Sequence, residues 1–294
     1  MSPMKIKKIK QKKSKAKREM EELAYELGFD DVKFLSSPKE SDKNVAVLLF
    51  KRYMPSEGNA EDGRVALSQY YTCSNDAYNA AQDFARVLNY DLHIPAELDN
   101  DIQLKRLATR GGGRVGLNTI YYHDELGSHV NIRCVMINAD VPLDDDIVSS
   151  TDCERCGACI KACPTNAISE DGWVRKKCIR DMMSEGIPIR ARKKIYQLLG
   201  CEKCQLCCPM NEDKKTEPQT FDLVSVLKGE QTRHLKEIAG KNMATRTRLI
   251  TQAICYAVAK GEKGCLPEII RLTEDQSERI SKIAVWGQKE LEKA

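Results

Sequence analysis

Apolar residues recur along this chain in two rhythms, one of period 3.6 and one of unbroken short runs. Over residues 16–27 the apolar positions Met20, Leu23, Ala24 and Leu27 fall at helical spacing and Gly28 supplies a stop, so the pattern predicts a first helix. Residues 31–35 and 44–50 predict strands, the second a continuous aliphatic run suited to a sheet covered on both faces. Residues 51–63, with proline, glycine and charges, predict a loop, and beyond Asn75 the positions Tyr78, Ala81, Ala85 and Leu88 line one face of a second helix. Residues 119–122 and 131–139 predict further strands around a Gly127-Ser128 turn. Helix alternating with buried strand predicts an α/β or α+β domain over residues 19–150. Beyond residue 212 the pattern turns wholly helical. Leu249, Ile250, Ala253, Ile254 and Ala257, then Ile280, Ile283, Ala284 and Trp286, share apolar spacing on either side of a short helix over 266–272. That layout is similar to a paired-helix repeat of the HEAT kind, so residues 213–294 are expected to form a helical scaffold or docking domain.

Between these parts, residues 151–212 have a different character, set by cysteine. The run Cys153-Glu-Arg-Cys156-Gly-Ala-Cys159-Ile-Lys-Ala-Cys163-Pro164 matches the bacterial ferredoxin pattern C-x2-C-x2-C-x3-C-P, in which three thiolates hold one 4Fe–4S cube and the fourth reaches to another. A second cube is therefore required, and Cys201-Glu-Lys-Cys204-Gln-Leu-Cys207-Cys208-Pro209 supplies its ligands. The residue before a proline prefers extended backbone, which carries its side chain out of the C-x2-C turn. By that logic Cys208 joins Cys153, Cys156 and Cys159, while Cys163 joins Cys201 and Cys204. Cys178, lying between the runs, is the natural eighth ligand. Cys207 competes with Cys208, but only Cys208 repeats the Cys-Pro pair. Paired C-x2-C units also build zinc sites, although zinc does not require the 2-2-3 rhythm ending in proline. The five other cysteines, Cys73, Cys134, Cys207, Cys255 and Cys265, stand in apolar surroundings and are expected to be buried structural thiols rather than a disulfide framework.

A net charge of +4 hides an asymmetry: residues 1–18 carry nine basic side chains and no acid, leaving 38 basic against 43 acidic residues in the remainder. Such a run predicts a disordered arm, either simply solvated or gripping phosphates without reading bases. No apolar run approaches the length needed to cross a bilayer, and the first residues lack both the apolar stretch of a secretory signal and a twin-arginine pair. A reduced cytoplasm and no membrane partner are the expectation.

Two stretches of the α/β segment carry further candidate chemistry. Glu97, Asp99 and Asp101 stand just ahead of a predicted helix with the apolar face Ile102, Leu104, Leu107 and Ala108; one of them suits an N-cap and the others leave room for proton transfer. Then Gly111-Gly112-Gly113-Arg114-Val115-Gly116-Leu117-Asn118 places four glycines in six positions, a turn whose amides are expected to face phosphate or amide oxygens, without the layout of a dinucleotide or Walker loop. His93, in Asp91-Leu92-His93-Ile94-Pro95-Ala96, lacks the glycine of a D-x-H-x-x-G cobalamin motif and reads as a loop histidine.

Taken in order, the segments 27–30, 111–118 and 127–128, the first cysteine run with Pro164-Thr165, Cys178-Ile179, 186–188, and Gly200-Cys201-x-x-Cys204-Gln205 with Cys208-Pro209-x-Asn211 resemble the epoxyqueuosine reductase family and, more distantly, the cobalamin-dependent reductive dehalogenases. The resemblance implies an α/β domain holding cobalamin, with Gly111, Gly112, Gly113, Gly116, Asn118 and Ser128 as its contacts, against a module with two 4Fe–4S clusters. It implies reduction of epoxyqueuosine to queuosine in tRNA, and an electron donor of low potential such as ferredoxin or flavodoxin. Asp99 is the implied general acid, with Asp101 and Tyr78 as alternatives. The chain departs from the family at Asp76-Ala77-Tyr78 (there Asp-Tyr-His), at Leu117 (there lysine) and at Ile102 (there proline). These departures keep two other activities open: dehalogenation of a small molecule, and electron transfer by two clusters without cobalamin.

Overall fold

A computed structural model describes residues 3–39, 43–145, 147, 149, 152–211 and 214–293, with the backbone alone for 3–14 and 185. The chain divides into two compact units. One comprises the residues up to Tyr53 with Asp76–Arg155, the other Met54–Asn75 with Cys156–Ala294. The expected limits at 150/151 and 212/213 lie outside the described residues.

The first unit is built on a four-stranded sheet in the order Asp31–Ser36, Val45–Arg52, Val130–Ile137, Ala96–Asp99, with every pairing antiparallel. The aliphatic run that predicted a doubly covered strand behaves as one. Val45, Val47 and Leu49 enter one cluster with Met20 and Ala24 of the first helix and Ala77, Ala81, Phe84 and Leu88 of the helix Gln69–Tyr90. Ala46, Leu48 and Phe50 enter the other, with Leu107, Ala108 and Tyr121. Side chains alternate across a strand, so one run feeds both layers. The sheet is thus reached by hairpin-like antiparallel pairing, and of the two fold classes expected for 19–150 the strand directions favour the α+β arrangement.

The first helix ends as the glycine predicts: Gly28 has φ +81°, and the Gly28 and Phe29 amides donate back to Tyr25 and Ala24. Its start differs. The helix spans Pro3–Glu26, so the basic segment continues it in place of the disordered arm expected. Lysine is a good helix former, Pro3 stands where a first-turn proline is tolerated, and no glycine or further proline interrupts the run.

In the second unit one apolar core joins the segment around the cysteines to the C-terminal helices. Ile179, Met182, Met183, Ile187, Ala191, Ile195 and Leu198 pack with Leu223, Leu249, Ala253, Ile254, Ile280 and Ala284. The cysteine segment and the helices after it are therefore not the two separate domains expected. A short cluster-binding segment has too few apolar residues to fold around a core of its own, and the helices supply one. Residues 54–75 join this unit through the antiparallel pair Arg64–Ala66 and Thr220–Asp222. Arg246–Lys260 starts at a Thr245 cap bonded to the Arg248 amide and ends at Gly261, φ +73°. It lies against Glu278–Lys293 where Gly287 faces Ile254: a methyl at Gly287 would stand 2.6 Å from the Ile254 Cγ2. Gly287→Val is expected to destabilise by about 1–3 kcal/mol through overpacking, read as a lowered midpoint in chemical denaturation.

Candidate functional site

The cysteine runs fold as short turns and single helical turns that aim sulfurs inward. Gly157, in the left-handed region at φ +74°, turns the chain from Cys156 into the helix Ala158–Ala162. Cys163 closes that helix in extended backbone ahead of Pro164, as the proline rule requires. Its sulfur accepts the Ala167 amide at 3.2 Å. Cys178 is extended ahead of the helix Ile179–Glu185, and Cys204 lies in the single turn Lys203–Leu206.

The electrostatics sort the sulfurs into two groups. Burial pushes the Cys201 thiol up to about 11, the Lys203 amide and Tyr196 hydroxyl oppose this, and Cys178 and Cys163 add to it. Cys204 is raised further, by burial first and then by Cys201, Cys178, Cys207 and Cys163. Cys207 rises to about 11 through burial and then through Cys159, Cys208 and Cys156. Cys163 moves the other way: burial would raise it, but the amides of Thr165, Ala167 and Ile168 and the Thr165 hydroxyl lower it. An inner group thus contains Cys163, Cys178, Cys201 and Cys204, and Cys207 borders it through Cys204. An outer group contains Cys156, Cys159, Cys207 and Cys208, and Cys156 is exposed. Crowded, partly buried thiols resist ionisation as long as nothing positive stands among them, whereas a coordinated metal deprotonates a thiol outright. The donor set therefore fits iron–sulfur clusters. Among the described residues no three His, Cys, Asp or Glu side chains converge on one single-ion position; a cube takes its ligands at separate corners.

Of the five cysteines expected to be buried structural thiols, Cys73, Cys134, Cys255 and Cys265 are buried. Cys207 is not. It closes the turn directly before Cys208 and so shares that residue's surroundings.

The glycine stretch is a small ribbon, Arg114–Val115 paired with Tyr121–Tyr122. Its amides face inward, contrary to expectation: Gly113 donates to Asp124 at 3.1 Å, Gly116 to the Ile120 carbonyl at 2.9 Å and Gly111 to the Ala108 carbonyl at 3.0 Å. A side chain at Gly113 would collide with the Tyr121 hydroxyl, and one at Gly116 with the Tyr122 ring, so close packing within the ribbon accounts for both glycines. Gly112 contributes its carbonyl to the Tyr121 hydroxyl. Buried Asn118 donates to the Tyr122 hydroxyl at 2.9 Å and accepts the Ile120 amide at 3.2 Å. Ser128 is buried. Three of the four glycine amides are thus engaged within the unit itself.

The acids sit elsewhere. Glu97, Asp99 and Asp101 line a cleft of about 260 Å³ with Lys39, Lys43 and Met136, below the size range of pockets for drug-sized ligands. Asp99 ends the strand Ala96–Asp99, and its carboxylate accepts the amides of Asp101 (2.9 Å) and Ile102 (3.1 Å) and pairs with Lys39. The short helix Leu104–Ala108 has Gln103 at its N-cap with no side-chain bond, so none of the three acids caps it as expected. Burial acts to raise the Asp99 carboxyl, but Lys39 and the two amides outweigh it and hold it below the usual carboxylate range. Tyr78 is half-buried on the helix Gln69–Tyr90, with the Arg133 guanidinium 6.0 Å from its ring centre. It is not among the residues lining the acidic cleft. His93 is an exposed loop residue, as its sequence context predicts.

Sequence reasoning missed two buried histidines. His123 Nε2 meets Asp31 at 2.8 Å while its Nδ1 accepts the Glu125 and Leu126 amides at 3.2 and 3.3 Å. That pattern assigns the Nε2–H tautomer and leaves no ring nitrogen for catalysis. His129 is buried and pushed down to about 4, by burial and then by Arg52, and is therefore neutral. Neither lies in a motif with metal spacing.

A mixed α/β unit in one chain with a double-cluster iron–sulfur segment is the class of protein that this fold and site define: the family described as 4Fe-4S double cluster binding domain matches residues 152–211. Within that class the chain is similar in sequence to curated epoxyqueuosine reductases. The epoxyqueuosine reductase of Aliivibrio fischeri is 26% identical over 216 residues, which is 64% of this chain and 58% of the relative. That of Vibrio cholerae is 30% identical over 150 residues, 46% of this chain and 40% of the relative. The chain spans roughly half the length of these curated relatives. In fold it is similar to an epoxyqueuosine reductase solved with an epoxyqueuosine-modified tRNA-Tyr stem loop (TM-score 0.77, 19% identity, 94% of this chain and 90% of that one). No helix among the described residues is long and apolar enough to cross a membrane.

Because the Asp99 carboxyl is depressed in the folded state, its contribution to stability is present above the unfolded carboxylate value and is lost as pH falls through the folded one. Asp99→Asn is expected to cost about 1 kcal/mol at pH 7, the upper end for an exposed ion pair. The difference from the parent should shrink in denaturation curves taken at progressively more acid pH.

Proposed function

We propose that this protein is an iron–sulfur reductase that converts epoxyqueuosine to queuosine in tRNA. The observation that carries the reading is the pair of sulfur groups around residues 152–211, taken with relatives that bear that name. In this reading Cys163, Cys178, Cys201 and Cys204 hold one 4Fe–4S cube, and Cys153, Cys156, Cys159 and Cys208 hold the other. Cys208 takes precedence over Cys207 because the proline after it extends its backbone.

Removing an epoxide oxygen to leave a carbon–carbon double bond consumes two electrons and two protons and releases water. Iron–sulfur cubes held by these cysteines would supply the electrons singly, drawn from a one-electron donor of low potential such as ferredoxin or flavodoxin. The departing oxygen must be protonated by a group within hydrogen-bond reach. Asp99, Asp101 and Tyr78 are the candidates. Asp99 as placed is a carboxylate held by Lys39, and has to part from that lysine before it can carry a proton. The lysines at 5–17 offer the tRNA phosphates sequence-independent contacts. The family resemblance implies cobalamin, which when bound supplies a strongly reducing cobalt centre to the substrate.

One observation favours a second reading, a two-cluster electron carrier without a corrin: the inward-facing amides of the glycine ribbon, together with Leu117 and Asp76-Ala77-Tyr78 at the departures from the family. Nucleoside mass spectrometry of tRNA from a deletion strain separates the two. Accumulated epoxyqueuosine, cured by the wild-type gene, is the expected result. Unchanged queuosine, with purified protein that carries iron but no cobalt, would favour the carrier.

A further inference from the structure

Helix Ile179–Glu185 begins directly after Cys178, and its second residue, Arg180, is a half-buried cation of unusual surroundings. Its Nε donates to the Tyr71 hydroxyl at 3.1 Å, and its guanidinium carbon lies 4.1 Å from the centre of the Tyr70 ring and 5.0 Å from that of Tyr71. The Tyr71 ring rests on Gly200: a methyl built there would lie 3.3 Å from it. Gly200 is bonded to Cys201. None of the described carboxylates pairs with Arg180. A positive charge is thus held two residues from Cys178 and, through Tyr71, against the glycine bonded to Cys201, by aromatic faces and a neutral phenol.

The absence of a paired carboxylate matters for the field that Arg180 exerts. A salt-bridged arginine is nearly neutral at a distance, whereas one stacked on rings keeps its whole charge. A cube on four thiolates is an anion and gains one further negative charge on reduction, so a nearby fixed cation favours the reduced form. Net charge around a cluster is one of the main determinants of its potential. A unit charge at about 10 Å under an effective dielectric of about 20 biases such an equilibrium by roughly tenfold.

We propose that Arg180 tunes the inner cluster, raising its reduction potential so that electrons entering at the outer group, where Cys156 is exposed, settle on the cube of Cys163, Cys178, Cys201 and Cys204. This rests on the two-cluster reading and not on the identity of the substrate. Arg180 acts through its charge and touches no reacting atom, so the decisive readout is a potential.

The full chain, reconstituted anaerobically to eight irons, is titrated with reductant and followed by EPR as wild type, Arg180→Gln and Arg180→Lys. In Arg180→Gln one midpoint is expected to fall by the equivalent of about tenfold, about 59 mV for a one-electron couple, while the other stays. Arg180→Lys should recover most of that shift. Unmoved midpoints in Arg180→Gln, equal shifts in both variants, or loss of iron from both would each overturn the tuning role. Wild-type protein that fails to take up a second cube overturns the two-cluster reading and this inference with it, whereas loaded wild type with unmoved variants overturns this inference alone.

Discussion

Burial of a crowded set of sulfurs is the constraint on which this structure turns. Cys201 and Cys204 are raised first by burial and then by neighbouring sulfurs. Left empty, such a site is a pocket of protonated thiols whose packing gains little. Filled with iron it becomes a set of strong bonds that tie a chain of few apolar residues into one shape, since metal-binding free energy counts as folding free energy. The extended backbone at Cys163 and Cys178 matters for the same reason: each swings a sulfur out of its own turn toward the inner group.

The remainder of the second unit supplies what the cysteines cannot. Ile179, Met182 and Met183 follow Cys178 on one helix and carry it into the core formed with Leu249, Ala253 and Ile254. Buried Gln252 reinforces this, accepting the Leu199 amide at 2.7 Å and donating to the Met183 carbonyl at 3.2 Å, so that both sides of the inner sulfur group are fixed to the helix Arg246–Lys260. Such support limits how far ligands move between oxidation states, and small movement favours fast electron transfer. The polar network beside Cys201, in which the Glu202 amide donates to the Tyr196 hydroxyl and Ser68 bonds the Glu202 carboxylate, has the same rigidity.

Much of this was legible in the sequence because the information is local. C-x2-C spacing and a following proline specify backbone directions over a few residues, and the aliphatic run 45–50 announces a strand with two covered faces wherever it is placed. Other features depend on partners far along the chain. Lys39 meets Asp99 across sixty positions, and nothing near Asp99 signals that its carboxylate is already engaged. The glycines at 113 and 116 look like a ligand cradle in isolation; only the pairing with Tyr121 and Tyr122 reveals that they make room for those rings. Strand direction was equally hidden, since the pattern of a doubly covered strand is the same in parallel and antiparallel sheets. The lysine helix was missed because charge counts suggest a solvated chain while residue propensity favours a helix.

The central claim is that eight sulfurs, shared crosswise between the two runs, hold two iron cubes. Iron and acid-labile sulfide analysis combined with Mössbauer spectroscopy of anaerobically purified protein tests it most directly. The account predicts about eight irons and eight sulfides per chain, all in the quadrupole doublet of oxidised 4Fe–4S clusters. Zinc at these thiols, or four irons with half the sulfurs free to alkylation, would contradict it.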